Sequence, residues 1–283
     1  MKLIDSVQEM RECCQRWRQE GKRIGFVPTM GWFHEGHLAL MREASRRSDR
    51  VVVSLFVNPI QFGPNEDFDA YPRGLDRDME LARQCGVDVL YHPSASEMYP
   101  DGFQTSIGVA ELSVGLCGGT RPGHFDGVCT VVAKLFNQVQ PHMAVFGKKD
   151  FQQLAVIRRM VKDLDLDVEI LGYPIVREED GLAMSSRNSY LSSEERQKAL
   201  CLYEAIRYGR RRVKEEKTLD LERLQDEISE RINRVDGCRV DYVAIVDAST
   251  LMPCRCVDGR SVLVLAVLMN DRIRLIDNGN LVE

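Results

Sequence analysis

No two of the nine cysteines have C-x-x-C spacing: Cys13 and Cys14 adjoin, Cys254 and Cys256 are one residue apart, and the rest are scattered. That removes zinc-ribbon and dithiol redox readings and predicts reduced thiols in a cytosolic protein. Long apolar runs are also lacking. The longest, at 262–269, is under half of the roughly 20 residues that a membrane-spanning helix needs. The opening string MKLIDSVQEM carries charge where a signal peptide is apolar, so a cytoplasmic location is expected. There is no basic excess. The formal net charge is -5, which argues against nucleic acid or an anionic membrane as a partner. Internal repeats and low-complexity segments are missing as well. Hydrophobic residues at 44% and charged residues at 29% are ordinary for a soluble globular chain.

What is present reads as alternating strand and helix. Short β-branched or aromatic runs at 24–27, 51–57, 87–91, 143–146 and 168–171 have the texture of strands buried on both faces. Helical periodicity fills 38–47, 75–84, 128–139 and 152–163 between them. That order predicts βαβ units and a parallel sheet, with chemistry in the loops at the carboxyl ends of the strands. After about Tyr173 the texture changes. A stretch rich in Glu, Arg and Lys at 193–235 predicts helices, with the charge run 210–217 as a solvated face. Alternating strands at 240–246 and 262–269 and a shorter one at 272–276 follow. With 283 residues, two domains are expected, divided at 175/176, the second a smaller α+β unit.

Five strings could carry chemistry. His34-Glu35-Gly36-His37 follows the first strand and opens a helix. Two His three apart share a helix face, Gly36 permits close approach, and the helix N-terminus favours phosphate. A metal site or two surface His fit the same spacing. Met184-Ser185-Ser186-Arg187-Asn188 offers hydroxyls and a guanidinium to a triphosphate, or is a polar loop. Gly147-Lys148-Lys149-Asp150 follows an apolar strand and faces phosphate, or caps a helix through Asp150. Neither a Walker A string nor a G-x-G-x-x-G is present. Asn58-Pro59-Ile60-Gln61 places a neutral carboxamide after the most apolar strand. Arg121-Pro122-Gly123-His124 opens an apolar helix and reads as a tight turn with a cap.

These strings, in this order, resemble the pantothenate synthetase family of the nucleotidyltransferase superfamily. PTMGWFHEGH is similar to that family's HIGH-like motif, and MSSRNSYLS stands where the wider superfamily has its KMSKS loop. LFVNPIQFGPNEDFDAYPR, RPGHFDGV and FGKKDFQQL are similar to its other signatures. The resemblance implies a Rossmann-like N-terminal domain and a C-terminal lid domain. It implies ligation of pantoate to β-alanine through pantoyl-adenylate, with ATP as substrate and Mg2+ on its phosphates. It implies that Met30, Gly31, Trp32, Phe33, His34, Glu35, Gly36 and His37 line the ATP site, with His37 the proton donor and His34 and Lys149 beside it in catalysis. Gly147, Lys148, Lys149, Asp150, Val176, Met184, Ser185, Ser186 and Arg187 would also serve the nucleotide. Gln61 and Gln153 would hold pantoate, Gln61 also near β-alanine. A homodimer is implied too. Trp32-Phe33 are bulkier than the family's pair, and Lys148 replaces an acidic or amide residue. A nucleotidylyltransferase would need an anion site where Gln61 and Gln153 stand. A non-catalytic nucleotide-binding protein would lack a His or Lys149. A moving segment at 176–188, with Gly181 absorbing the backbone change, is expected as well.

Overall fold

The computed structural model describes residues 1–64, 66–216 and 219–282. Asn65 of the second signature string and Lys217 of the charged run lie outside the described residues. The chain separates into two compact units. The first comprises Met1–Val114, Gly118–Lys148 and Gln153–Pro174; the second comprises Gly115–Cys117, Lys149–Gln152 and Ile175–Glu283.

The first unit runs β1 (Lys2–Ile4), α1 (Val7–Gln19), β2 (Ile24–Thr29), α2 (Glu35–Arg47), β3 (Arg50–Leu55), α3 (Leu75–Gln84), β4 (Val89–Tyr91), α4 (Ala95–Met98), α5 (Cys117–Thr120) after its first residue, α6 (His124–Val139), β5 (Met143–Gly147), α7 (Phe151–Asp163) after its first two residues, and β6 (Glu169–Tyr173). Its six strands lie in the order β1-β4-β3-β2-β5-β6, and every pairing is parallel. Val51, Val52 and Val53 of β3 are buried, as a strand covered on both faces requires. The chain leaves β2 toward β3 on one side and returns to β5 on the other. The carboxyl ends of β2 and β5 therefore flank the switch point where open parallel sheets form their crevice. Helix α6 is buried on nearly all sides, including Phe125, Val128, Val132, Phe136 and Val139. Helix α1 escaped the sequence reading because charged residues surround its thin apolar face of Met10, Cys13 and Cys14.

The second unit runs α8 (Ser193–Ala199), α9 (Cys201–Glu215), α10 (Leu221–Asn233), β7 (Cys238–Asp247), β8 (Ser261–Met269) and β9 (Ile273–Asn280). The strands form an antiparallel sheet in the order β7-β8-β9. One face of β8, through Leu263, Leu265, Val267 and Met269, packs with Leu202, Ile206, Leu224 and Ile228 of the helices. The other face is covered too: Val262 and Val264 pack with Leu116 and Phe151. Strand β8 is thus buried on both sides rather than alternating, which explains why 115–117 and 149–152 cluster with this unit. Strand β9 is longer than the sequence suggested. Asn270 and Asp271, at φ 49° and 51°, make a tight hairpin turn. Pairing then continues through the polar residues Asp277, Asn278, Gly279 and Asn280.

Candidate active site

Past the carboxyl end of β2, Thr29 Oγ1 donates to the Ser54 carbonyl at 2.6 Å and accepts the Gly31 N–H at 3.2 Å. The chain then reaches His34, the N-cap of α2, whose backbone is extended. His34 Nδ1 accepts the Gly36 N–H at 3.1 Å, and His37 Nδ1 accepts the His34 N–H at 3.4 Å. The two imidazoles thus form a reciprocal capping box, a role usually taken by Ser or Thr with Glu or Gln. A ring nitrogen that accepts a hydrogen bond carries no proton. In each neutral ring the proton therefore sits on Nε2, which becomes a donor. The rings are stacked, centroids 4.1 Å apart at 35°. The cap geometry presents both His as a pair of N–H donors at the positive end of a 13-residue helix. This arrangement suits an oxyanion. Among the described residues no cluster of three or more His, Cys, Asp or Glu could hold a metal.

Beside this loop lies a carboxamide pair. Asn58 is buried after β3 and Gln61 ends a short 3-10 turn, Pro59–Gln61. Asn58 Nδ2 donates to Gln61 Oε1 at 3.1 Å and to the Gly127 carbonyl at 3.0 Å, while Tyr99 donates to Asn58 Oδ1 at 2.7 Å. Gln61 Nε2 points to Met30 Sδ at 3.1 Å, so the structure brings together Gln61 and Met30, two of the residues singled out by the sequence. A Cβ on Gly127 would lie 2.7 Å from Gln61 Cα, so only glycine lets α6 approach this closely.

The turn Arg121–His124 proves to be more than a turn. Gly123 adopts φ 79° and α6 follows, as a tight cap requires. His124 Nδ1 lies 2.8 Å from the Gln61 carbonyl, which can only accept, so Nδ1 donates and Nε2 accepts from Arg121 at 3.0 Å. Arg121 makes two 2.5 Å bonds to Glu66. Burial pushes the Glu66 carboxyl up, but the Arg121 guanidinium outweighs it and holds the group below its ordinary range. This chain of contacts fixes the Gln61 backbone from beneath.

The remaining nominated residues divide between the units. Gly147 ends β5, Lys148 donates its N–H to the Tyr173 carbonyl at 2.8 Å, and Gln153 lies half-buried on α7; all three belong to the first unit. Lys149, Asp150, Val176, Met184, Ser185, Ser186 and Arg187 belong to the second. There Asn278 Nδ2 holds the Lys149 carbonyl at 2.9 Å. Met184 N–H donates to the Val176 carbonyl at 3.0 Å, closing a hairpin that leads into the 3-10 turn Ser186–Tyr190. Gly181 stands at φ 99° against the Tyr203 ring, where a Cβ would clash. Arg177 binds the buried Asp277 at 2.7 and 2.9 Å, and Arg196 binds Glu178 and Asp180, pinning the segment to its own unit.

Residues 2–280 match the family described as Pantoate-beta-alanine ligase. The chain belongs to the pantoate–β-alanine ligase family. It is 53% identical to the pantothenate synthetase of Syntrophus aciditrophicus, over 98% of this chain and 96% of that one. It is 55% identical to that of Heliobacterium modesticaldum, over 98% of each. Its fold is similar to the crystal structure of the Thermus thermophilus pantothenate synthetase, with a TM-score of 0.93, 46% identity and 99% of each chain covered. It is also similar to the pantoate-β-alanine ligase of Francisella tularensis, solved in complex with β-γ ATP and β-alanine, with a TM-score of 0.82, 34% identity, and 99% and 98% covered. Trp32 and Phe33 are bulkier than the pair this family is expected to carry here. In the structure Phe33 is fully buried in the core, and Trp32 lies beneath the Arg77 guanidinium, 4.8 Å from its ring centroid. Two residues of this region, Tyr99 and Asp78, are not singled out by the sequence. Asn58 was in view but gave no sign of being the hub of the carboxamide pair. Tyr99 and Asp78 lie too far along the chain to be linked to it by spacing.

Proposed function

We propose that this ligase condenses pantoate with β-alanine in two steps. The pantoate carboxylate attacks the α-phosphorus of ATP, giving pantoyl-adenylate and pyrophosphate. The β-alanine amine then attacks the acyl carbon, forming the amide of pantothenate and releasing AMP. The observation that carries this reading is the oriented pair of imidazole Nε2–H donors beside an uncharged carboxamide pair. Donors fixed before the reaction stabilise charge developing on phosphate oxygens. A neutral Gln61 suits a hydroxy acid, whereas a phosphorylated acceptor would call for a cation there.

In this proposal Met30, Gly31, Trp32, Phe33, His34, Glu35, Gly36 and His37 form the nucleotide loop, and His37 donates to the α-phosphate as it gains charge. Gly147, Lys148, Lys149 and Asp150 serve phosphate and ribose. Val176, Met184, Ser185, Ser186 and Arg187 serve the nucleotide from the C-terminal lid unit. Gln61 and Gln153 hold pantoate. Magnesium accompanies ATP on phosphate oxygens and water, as this ion prefers, and no residue of the chain is assigned to it. A homodimer and a cytoplasmic location complete the proposal on the family resemblance. Among the described residues, no helix is long and apolar enough to cross a membrane.

The test is AMP release from ATP as a function of both substrates, with pantoate labelled by 18O in its carboxylate. The expected result is AMP formation that needs pantoate and β-alanine, and one label appearing in AMP. AMP formed without pantoate, or label retained wholly in pantothenate, would sink the mechanism. Gln61→Ala should raise the Kd for pantoate roughly tenfold, the scale of a lost hydrogen bond. Calorimetric titration should show ATP affinity within about twofold of the parent, because the carboxamide is assigned to the acid rather than the nucleotide. Loss of ATP affinity in place of pantoate affinity would reverse that assignment.

A further inference from the structure

We propose that Asp78 is a positioning residue for the two imidazoles, its buried carboxylate gripping the backbone just ahead of His34. The inference rests on the adenylation reading of the site. The Asp78 side chain has no solvent exposure. Its Oδ2 accepts the Trp32 N–H at 2.6 Å and its Oδ1 accepts the Phe33 N–H at 2.8 Å. The neighbouring Arg77 completes the clamp: it donates to the Phe33 carbonyl at 2.8 Å, lies 3.2 Å from Asp78 Oδ1, and stacks over the Trp32 ring. Three backbone groups in a row, Trp32 N–H, Phe33 N–H and Phe33 C=O, are thus held from one turn of α3.

The grip has a specific consequence. Trp32 sits at φ 52°, a left-handed conformation that a bulky residue adopts only when its surroundings impose it. The next residue but one is the N-cap of α2, so the direction in which α2 starts depends on that conformation. The capping box then transmits it to His37. Phe33 adds a second constraint, its buried ring 5.7 Å from the His37 ring. Burial pushes the Asp78 carboxyl above its ordinary value, and the Phe33 and Trp32 N–H groups, Arg77 and the first turn of α3, where the helix dipole favours a negative charge, work against that push. Arg77 and the two N–H groups also explain why this carboxylate is an anchor rather than a metal ligand.

The test uses Asp78→Asn and Asp78→Ala in the full chain, both also prepared with Trp17→Phe so that Trp32 is the sole tryptophan. Asn keeps one acceptor but turns an NH2 toward the other N–H; Ala keeps neither. Pantoate-dependent exchange of pyrophosphate into ATP should fall tenfold to about a hundredfold in kcat, the penalty of ångström-scale misplacement. The pantoate KM should stay unchanged, and Ala should be worse than Asn. Hydrogen exchange measured by mass spectrometry should accelerate over 31–37 and remain parental elsewhere, and Trp32 emission should shift. Parental exchange rates at 31–37 would overturn the proposal, as would acceleration spread through the whole first unit. If the parent enzyme shows no pantoate-dependent pyrophosphate exchange, the activity reading falls instead. The hydrogen-exchange contrast then upholds or overturns the anchor on its own.

Discussion

His37→Ala is expected to lower pantoyl-adenylate formation by about a hundredfold or more, the usual loss when a prearranged transition-state donor is removed. The chain should stay folded. His37 is only half-buried, and the hydrogen bond its ring accepts in the fold is a capping contact at one helix end, beside its ring contacts with His34 and Phe33. Losing such a cap costs about 1 kcal/mol, a fraction of the roughly 5–15 kcal/mol that holds a typical protein folded. Capping and catalysis are separable. Gln is a natural residue at this capping-box position and can again accept the His34 N–H. His37→Gln should therefore recover the thermal midpoint lost in His37→Ala. Its adenylation rate should remain depressed, because the carboxamide that accepts that N–H cannot also place a donor where Nε2–H stood. Turnover of pantoate in a single-turnover quench experiment decides the matter. A folded His37→Ala enzyme with near-parental adenylation, or full recovery of rate in His37→Gln, would move catalysis away from this ring.

The frame of the first unit was legible because its signals are local. Helix α3 begins and ends where its periodicity does, and the strands β2, β3 and β5 announce themselves as short β-branched runs. Misreadings arose where the decisive partner is distant in sequence. Strand β8 carries an apolar pattern that looked one-sided, yet Leu116 and Phe151, more than a hundred residues earlier, cover its second face. Strand β9 continues through Asp277 because Arg177 neutralises that carboxylate from a hundred residues away. Burial pushes the Asp277 carboxyl up, and the Arg177 guanidinium works against that push. The sequence shows Gly181 among acidic residues but not the Tyr203 ring, against which only a glycine fits.

The site divides along the same line. His34, His37 and Gln61 could be nominated because each sits in a motif at a strand end. Their orientation could not. It depends on the capping box, on the carboxamide hub at Asn58, and on Asp78, whose backbone partners lie 45 and 46 residues upstream. An acidic residue in the first turn of a helix is commonplace, so nothing in the local sequence set Asp78 apart.

Arg187 offers the sharpest separation of the two half-reactions. Its own backbone is secured within the second unit. Ser185 Oγ accepts the Arg187 N–H at 3.3 Å, and Asn188 Nδ2 ties the turn to Glu178 and to the Ala183 carbonyl at 3.1 Å each. Arg177 pairs with Ala183 in a backbone bridge just before it. Truncating the side chain at Cβ leaves these bonds in place, so Arg187→Ala should fold. If the guanidinium serves the triphosphate, as proposed, its charge matters while pyrophosphate is leaving and not afterwards. Adenylate formation should slow by about a hundredfold, the scale of one lost charge-stabilising donor. Attack of β-alanine on pantoyl-adenylate supplied ready-made should stay near the parental rate, because pyrophosphate is absent from that step. Arg187→Lys should recover little, since an ammonium lacks the planar fork that meets two phosphate oxygens at once. Quenched-flow measurement of each half-reaction distinguishes the cases. Equal losses in the two steps would mean that Arg187 maintains the local structure, and the triphosphate role would have to pass to another residue of the Ser185–Ser186–Arg187 group.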